Sequence, residues 1–218
     1  MAYNDTLVAE IVGRVMAELG LNTASGGNDT VPVGVSNRHI HLSTADLETL
    51  FGAGYQLTPI KDLSQPGQFA CKETLTIVGP SLRPIENVRV LGPVRKASQV
   101  EISRTDSFTL KVKPPVRESG DIAGSAPITI IGPKGVVTLK EGCIIANRHI
   151  HMSTDEGAQF GLSDGQYVDV EVNGERKTKF YDVQVRVHKD FRLEMHIDTD
   201  DANAAGIGNG AKVMIVKK

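Results

Sequence analysis

Residues 37–44 read Asn37-Arg-His-Ile-His-Leu-Ser-Thr44, and residues 147–154 read Asn147-Arg-His-Ile-His-Met-Ser-Thr154. The two stretches differ only at one position, where Leu42 corresponds to Met152. They contain four of the six histidines of the chain, namely His39, His41, His149 and His151. This repeat is the most informative feature of the sequence.

The spacing of these histidines favours metal binding. Successive side chains of an extended strand point to opposite faces, so each His-Ile-His places both imidazoles on one face and the isoleucine on the other. Two imidazoles on one face form half of a transition-metal site. Duplicated strand ends with hydrogen-bonding histidines would explain one copy equally well, but two copies in the same frame favour a metal.

Composition excludes several classes of protein. The 218 residues are 40% hydrophobic and 23% charged with a net charge of −2, which gives no reason to expect nucleic acid or an anionic membrane as partner. The 22 glycines and 10 prolines, with no tryptophan, indicate many short strands joined by turns. Two cysteines make no disulfide framework, and neither a secretory signal nor a membrane-length apolar run is present. We therefore expect a soluble, cytoplasmic protein.

The N-terminal region is predicted to be a helix on a tether. Apolar residues recur at helical spacing over residues 5–19, at Leu7, Val8, Ile11, Val12, Val15, Met16 and Leu19. Residues 21–30 are polar and glycine-rich, which is typical of a flexible linker. Two alternatives stay open from the pattern: the helix docks on its own domain, or it binds a groove in another protein.

The remaining chain predicts a mainly β, barrel-like architecture. Each repeat is followed by a helix start with the Ser-x-x-acid capping pattern, at Ser43 and at Ser153. The predicted strands are residues 31–35, 74–78, 88–91, 99–102, 108–112, 128–131, 136–139, 167–172, 178–187, 192–197 and 212–216.

Further metal ligands are expected on strands whose polar residues alternate with apolar ones. In residues 192–198, Glu194, His196 and Asp198 share one face, so His196 is a candidate third ligand, with a hydrogen-bonded surface histidine as the alternative. Glu101 is a candidate carboxylate ligand on the strand from residue 99, although a solvated glutamate is the ordinary interpretation. The four histidines of the two repeats could bind one metal ion together or two ions separately. His188 is expected at the surface.

The two cysteines are not expected to bind metal. Cys71 and Cys143 have no nearby histidine or cysteine in the sequence, so we interpret them as small buried side chains. The motifs contain no obvious serine or cysteine nucleophile.

The paired repeats occur together with Val-Leu-Gly-Pro-Val-Arg at residues 90–95, Gln-Val-Glu-Ile-Ser-Arg-Thr-Asp at residues 99–106 and Glu-Met-His-Ile-Asp-Thr-Asp at residues 194–200. On these stretches the chain beyond the linker resembles the PduL-type phosphotransacylases, the phosphate propanoyltransferases. The resemblance implies reversible transfer of a propanoyl or acetyl group between coenzyme A and phosphate. It implies two small antiparallel β-barrels capped by short helices, with residues 31–37 and 147–218 in the first barrel and residues 38–146 in the second.

The resemblance also implies a site with two zinc ions. One zinc would be held by His39, His41 and Glu101, and the other by His149, His151 and His196; Arg104 would bind phosphate. The implied chemistry is direct attack of the metal-bound coenzyme A thiolate on acyl phosphate, without an acyl-enzyme. Arg38, Arg95, Lys96 and Arg148 are candidates for the coenzyme A phosphates, but surface charge is the simpler interpretation of each.

The resemblance extends to partners. Microcompartment-associated members carry an amphipathic N-terminal encapsulation peptide, which residues 1–20 match. The implied location is the inside of a bacterial microcompartment, with a shell or cargo protein as partner through residues 5–19. A homodimer is also implied.

Two other functions suit the same ligands. A zinc-dependent hydrolase of thioesters or acyl phosphates would use metal-bound hydroxide and would need no phosphate. A scaffold component would use zinc structurally, but structural zinc sites are closed by four protein ligands, and the sequence offers three for each metal.

Overall fold

The computed structural model describes residues 30–217. The predicted helix at residues 5–19 and the linker as far as residue 29 lie outside the described residues. The strands are β1 Thr30–Ser36, β2 His39–His41, β3 Pro59–Asp62, β4 Phe69–Val78, β5 Pro84–Gly92, β6 Gln99–Glu101, β7 Val116–Arg117, β8 Ala126–Ile131, β9 Val136–Ala146, β10 His149–Met152, β11 Tyr167–Val172, β12 Thr178–Val187, β13 Glu194–Asp198 and β14 Lys212–Val216. The helices are α1 Thr44–Phe51, α2 Arg104–Leu110, α3 Thr154–Phe160 and α4 Thr199–Ala205.

The first barrel closes in the order β1-β13-β10-β12-β11-β14. Its strands alternate between a buried apolar face and a more polar face, so that their valines and isoleucines fill one hydrophobic core. Ile150, between the two histidines of the second repeat, is completely buried in that core. The first barrel therefore combines one strand from the start of the described chain with five from its end.

The second barrel closes through β4, β5, β2, β6, β9 and β8, while β3 pairs with β4 and β7 pairs with β9 at its margins. Ile40 of the first repeat is completely buried in its core. The predicted pair of small barrels with short helices is confirmed. Strand pairing is mixed, however, because β2 runs parallel to β5 and β10 runs parallel to β12, whereas antiparallel barrels were expected.

The predicted strand at residues 108–112 is wrong. This region belongs to α2, which begins after Ser103 and ends at Leu110. The Ser103 side chain accepts a hydrogen bond from the Asp106 backbone, and the Asp106 side chain accepts one from the Ser103 backbone, which completes a capping box. Local capping and one buried face, with Leu110 inside and Phe108 exposed, produce a short helix in place of the strand.

The two repeats occupy equivalent places in the two barrels. In the second barrel β2 pairs antiparallel with β6, which leads into α2; in the first barrel β10 pairs antiparallel with β13, which leads into α4. The starts of the two helices meet, because the Thr105 backbone donates a hydrogen bond of 2.8 Å to Asp200 Oδ2. Among the described residues no helix is long and apolar enough to span a membrane.

The arginine of each repeat connects it to the helix that follows the partner strand. Arg38 binds the buried Asp106 through two nitrogens on one edge of its guanidinium, with Nε 2.9 Å from Oδ2 and Nη2 2.7 Å from Oδ1. Arg148 occupies the same place beside Asp201, but its Nε lies 3.7 Å from Oδ2 and the carboxylate is more exposed. The first repeat is therefore held more tightly than the second.

This difference predicts unequal stability effects. We expect Arg38→Met to lower the free energy of unfolding by roughly 2–3 kcal/mol, because it leaves the buried Asp106 carboxylate without its cation. Arg148→Met should cost at most about 1 kcal/mol, because its ion pair with Asp201 is longer and the Asp201 carboxylate is still reached by solvent. Urea denaturation of the metal-free proteins measures both, and equal losses would contradict the proposed difference.

Candidate metal centre

The first cluster consists of His39, His41 and Glu101, all of them buried. His39 lies directly opposite Glu101 in the β2–β6 ladder, and alternation along β2 brings His41 to the same face. His39 Nε2 lies 3.4 Å from Glu101 Oε2, and His41 Nε2 lies 3.9 Å from Glu101 Oε1. Two zinc ligands at ordinary bond lengths in a tetrahedral site are separated by about 3.3 Å, which these spacings approach.

The second cluster consists of His149, His151 and His196, whose candidate ligand atoms all lie within 4.8 Å of one another. His149 lies opposite His196 in the β10–β13 ladder, which is the position that Glu101 takes opposite His39 in the other barrel. The two clusters therefore share one design and differ in their third residue, which is a carboxylate in the first and an imidazole in the second.

The first histidine of each repeat is held by its own turn. The Nδ1 atoms of His39 and His149 each lie 2.8 Å from a backbone carbonyl, that of Asn37 and that of Asn147. A carbonyl oxygen only accepts hydrogen bonds, so Nδ1 carries the proton and Nε2 presents a lone pair to the cluster. Such a second contact is the usual way in which proteins orient a metal-binding imidazole.

Unsatisfied buried atoms coincide with the clusters. Among the described residues four buried side-chain atoms have no hydrogen bond of good geometry, and three of them belong to the clustered histidines, namely His41 Nδ1, His151 Nδ1 and His196 Nε2, although the last lies 3.2 Å from Glu194 Oε2. A buried polar atom without a partner is costly, and a bound ion is one way to satisfy it. The residues present therefore fit a divalent metal in each cluster.

Electrostatics keep four of the histidines neutral. Burial is the main cause of their lowered pKa values, which fall to about 3 for His41, about 4 for His149, about 2 for His151 and about 4 for His196. At neutral pH these imidazoles carry no charge, which is the form that binds a metal.

His39 and Glu101 behave as a pair. Burial disfavours the charged form of each, but their mutual attraction outweighs it, so the pKa of His39 is raised and that of Glu101 is lowered. Glu101 is therefore ionised in the folded protein. Its Oε1 also accepts hydrogen bonds from Gln99 Nε2 at 2.6 Å and Ser119 Oγ at 2.7 Å, and these two contacts orient the carboxylate.

Both clusters open into one cavity of about 680 Å³ between the barrels. Four arginines line it, namely Arg38, Arg89, Arg95 and Arg186. Arg95 is half-buried, and its Nη1 donates a hydrogen bond of 3.0 Å to Ser119, which also contacts Glu101. Burial lowers the pKa of the Arg95 guanidinium and the Arg186 charge lowers it further, although Glu101 opposes them. The site therefore combines six metal-ligand candidates with an anion-attracting wall.

Arg104 has a different position. It is the first residue of α2, is exposed, and is not among the described residues that line the cavity. Its phosphate-binding role therefore stays a prediction without support from its position, and Arg95 is the better placed arginine.

Comparison with known proteins decides the family. The family model described as phosphate propanoyltransferase matches residues 32–208. This chain belongs to the phosphate propanoyltransferase family. It is 57% identical over 208 residues to a phosphate propanoyltransferase of Lachnoclostridium phytofermentans, covering 95% of this chain and 97% of that protein. It is also 60% identical over 186 residues to one of Thermotoga maritima, covering 85% and 88%, and 53% identical over 207 residues to one of Priestia megaterium, covering 95% and 94%.

The enzyme class follows from the family, so the chain is a phosphotransacylase-type acyltransferase. The region that matches the phosphate propanoyltransferase family contains both histidine repeats and all six clustered residues. His188 is exposed and belongs to neither cluster, in agreement with its predicted surface position.

The cysteines are buried, as predicted. Cys71 and Cys143 are completely inaccessible to solvent. Burial is the main cause of their raised pKa values, about 11 for Cys71 and about 12 for Cys143, so both thiols stay protonated. Neither is a metal ligand in the described clusters or an activated nucleophile.

Most of the cavity wall cannot be predicted from the local sequence. Gln184 and Arg186 alternate with apolar residues along their strand, but this pattern does not distinguish a cavity wall from an ordinary surface. Their position beside His149 and His151 follows from the parallel pairing of β10 with β12, which the sequence does not reveal. Ser64 and Gln65 reach the first barrel through Glu194 and Arg192, and nothing in their local sequence indicates it.

We predict two metal ions per chain, one in each cluster. His39→Ala and His149→Ala should each bind a single ion, because each removes one of three ligands from one cluster, and the double variant should bind none. Elemental analysis after chelation and reloading measures this. His188→Ala is the matched control and should retain both ions; equal metal loss in this control would contradict the assignment.

Proposed function

We propose that this enzyme reversibly transfers a short acyl group, propanoyl or acetyl, between coenzyme A and inorganic phosphate at a site with two zinc ions. The observation that carries the proposal is the single cavity in which two three-residue clusters share a wall with Arg95 and Arg186. The relatives named phosphate propanoyltransferase support it. The two metals, their identity and the acyl group belong to the proposal.

The ligands suit open zinc sites. His39, His41 and Glu101 would hold one ion, and the three histidines of the other cluster would hold the second. Three protein ligands leave a coordination position for substrate, as in catalytic zinc sites. When bound, zinc supplies Lewis acidity that lowers the pKa of a thiol and polarises a carbonyl or phosphoryl oxygen.

Each half of the cavity combines a carboxylate with an arginine. Glu101 and Arg95 both contact Ser119 at the first cluster. At the second cluster Glu194 Oε2 lies 3.2 Å from His196 Nε2, and Arg186 lies beside His151. Charge therefore does not assign the two substrates to the two halves, and placing the coenzyme A sulfur at the first cluster rests on the family resemblance.

The transfer step needs no covalent intermediate on the protein. A phosphate oxygen attacks the carbonyl carbon of acyl-coenzyme A, the new carbon–oxygen bond forms, and the carbon–sulfur bond breaks. Coenzyme A leaves as a thiolate. The proton that hydrogen phosphate loses on forming acyl phosphate protonates this thiolate, so that coenzyme A is released as the thiol. In reverse, the thiolate attacks acyl phosphate. Arg95 would bind phosphate oxygens and offset the charge that develops on the tetrahedral intermediate.

The arginines do not separate the transferase from the hydrolase alternative, because acyl phosphates and coenzyme A thioesters are anionic substrates of either enzyme. A requirement for inorganic phosphate separates the two. Three ligands for each cluster, with Glu101 ionised beside a cavity, disfavour a closed structural zinc site.

A thiol-release assay tests the function. We expect the metal-loaded enzyme to release coenzyme A from propanoyl- or acetyl-coenzyme A only when phosphate is present, to form acyl phosphate, and to stop when a chelator is added. Release without phosphate would identify a hydrolase, and no release from the metal-loaded enzyme would support the scaffold.

Two arginine variants sharpen this assay. Arg95→Ala should lower turnover by roughly 100-fold or more while metal content is unchanged, because a charged group that contacts the transition state is lost. Arg104→Ala is the matched exposed variant and should retain nearly normal turnover. The opposite order would restore Arg104 as the phosphate-binding arginine.

The proposal extends to location and assembly. Residues 5–19 would act as an encapsulation peptide that binds a shell or cargo protein of a bacterial microcompartment, and the enzyme would be a homodimer. Removal of residues 1–20 should leave thiol release unchanged and abolish co-sedimentation with microcompartments. Unchanged co-sedimentation would contradict the packaging role.

A further inference from the structure

Arg186 differs from the other arginines of the cavity in having no partner in the described part of the chain. Arg38 binds Asp106, Arg89 donates to the carbonyls of Cys71 and Lys72, and Arg95 donates to Ser119. The guanidinium of Arg186 makes no such hydrogen bond or ion pair with the described residues, although it is half-buried. An arginine keeps its charge in proteins, so partial burial of its guanidinium costs free energy that a bound anion would offset.

The equivalence of the barrels shows that the fold does not require an arginine here. His39 pairs with Arg89 in the parallel ladder of the second barrel, and His149 pairs with Gln184 in the first. Two residues further along each strand, the second barrel has Leu91 where the first has Arg186, and both line the cavity. A leucine satisfies the same structural position, so the arginine serves something else.

The charge of Arg186 is directed at the site. Arg186 lies beside His151 in the β10–β12 ladder. Arg186 lines the same cavity as Arg95, which reaches it from the second barrel. Two like charges that share a cavity from opposite barrels repel each other, and an anion bound between them relieves that repulsion.

We propose that Arg186 is a second phosphate-binding residue, which acts from the first barrel opposite Arg95 and selects the phosphoryl dianion as acyl acceptor. This inference rests on the proposed phosphotransacylase function. Arg95 contacts the half of the cavity that contains Glu101, and Arg186 flanks the three-histidine half. Two guanidinium forks offer enough donors to bind several oxygens of one phosphate, which a water molecule or a neutral carbonyl cannot match.

Arg186 could also bind a phosphate group of coenzyme A instead of the inorganic phosphate. Steady-state kinetics distinguish these two anions. For Arg186→Leu, which copies the residue of the second barrel, we expect the KM for phosphate to rise roughly 10- to 100-fold, as for the loss of a charged hydrogen bond. The KM for acyl-coenzyme A should stay within about twofold of the wild-type value. Arg186→Lys keeps the charge without the fork and should recover part of the loss.

Direct binding gives a readout independent of turnover. Calorimetry with inorganic phosphate on the metal-loaded protein should show weaker binding by a similar factor in Arg186→Leu, with unchanged metal content and thermal midpoint. Arg176→Leu is the matched control, because Arg176 is an exposed arginine of the same barrel outside the cavity. It should behave as wild type.

The outcomes are distinguishable. An unchanged KM and dissociation constant for phosphate in Arg186→Leu would overturn the inference, and so would a KM for acyl-coenzyme A that rises as much as that for phosphate. Loss of metal or of folding in both Arg186→Leu and Arg186→Lys would indicate a structural role for Arg186 and would also overturn the inference. Failure of the proposed function is a separate result, in which the wild-type enzyme itself releases no thiol in a phosphate-dependent way.

Discussion

The alternation of side chains along two three-residue stretches is the constraint on which the site depends. Ile40 and Ile150 are completely buried in the two barrel cores, and each is flanked by histidines that must then point the opposite way. Core packing therefore fixes the face to which the imidazoles point, because rotating a histidine strand would expose an isoleucine, and the carbonyls of Asn37 and Asn147 then orient the rings of His39 and His149. The rigidity of the core explains how very short strands can hold three candidate ligand atoms within 4.8 Å of one another in each cluster.

The two barrels use the same arrangement but differ in four residues around their clusters. The third residue of the cluster is Glu101 in one barrel and His196 in the other, and the residue two positions before it is Gln99 in one and Glu194 in the other. The strand parallel to the histidines has Arg89 and Leu91 in one barrel, where the other has Gln184 and Arg186. None of these exchanges alters the backbone frame. They redistribute charge around two otherwise similar sites.

Much of the fold was predictable, since period-two alternation and turn residues describe most of the strands, and the family resemblance implies the pair of barrels. The strand predicted at residues 108–112 failed because a few apolar residues cannot separate a strand from one face of a short helix, although Ser103 and Asp106 carried the capping signal. The six clustered residues were identified by alternation and family resemblance. Arg95 was only one of four candidates for the coenzyme A phosphates and Arg186 was not a candidate, because long-range strand pairing decides whether a polar face meets water or a cavity.

The order of the strands along the chain implies that the two clusters form at different times during translation. The second barrel uses strands that end at residue 146, whereas β1 must wait for β13 and β14 before the first barrel can close around it. On a ribosome the segment that contains His39, His41 and Glu101 emerges in full while His196 is still untranslated. Since compact units fold as they emerge, the cluster with the carboxylate is complete first, and the three-histidine cluster forms only when the last strands join the earliest one.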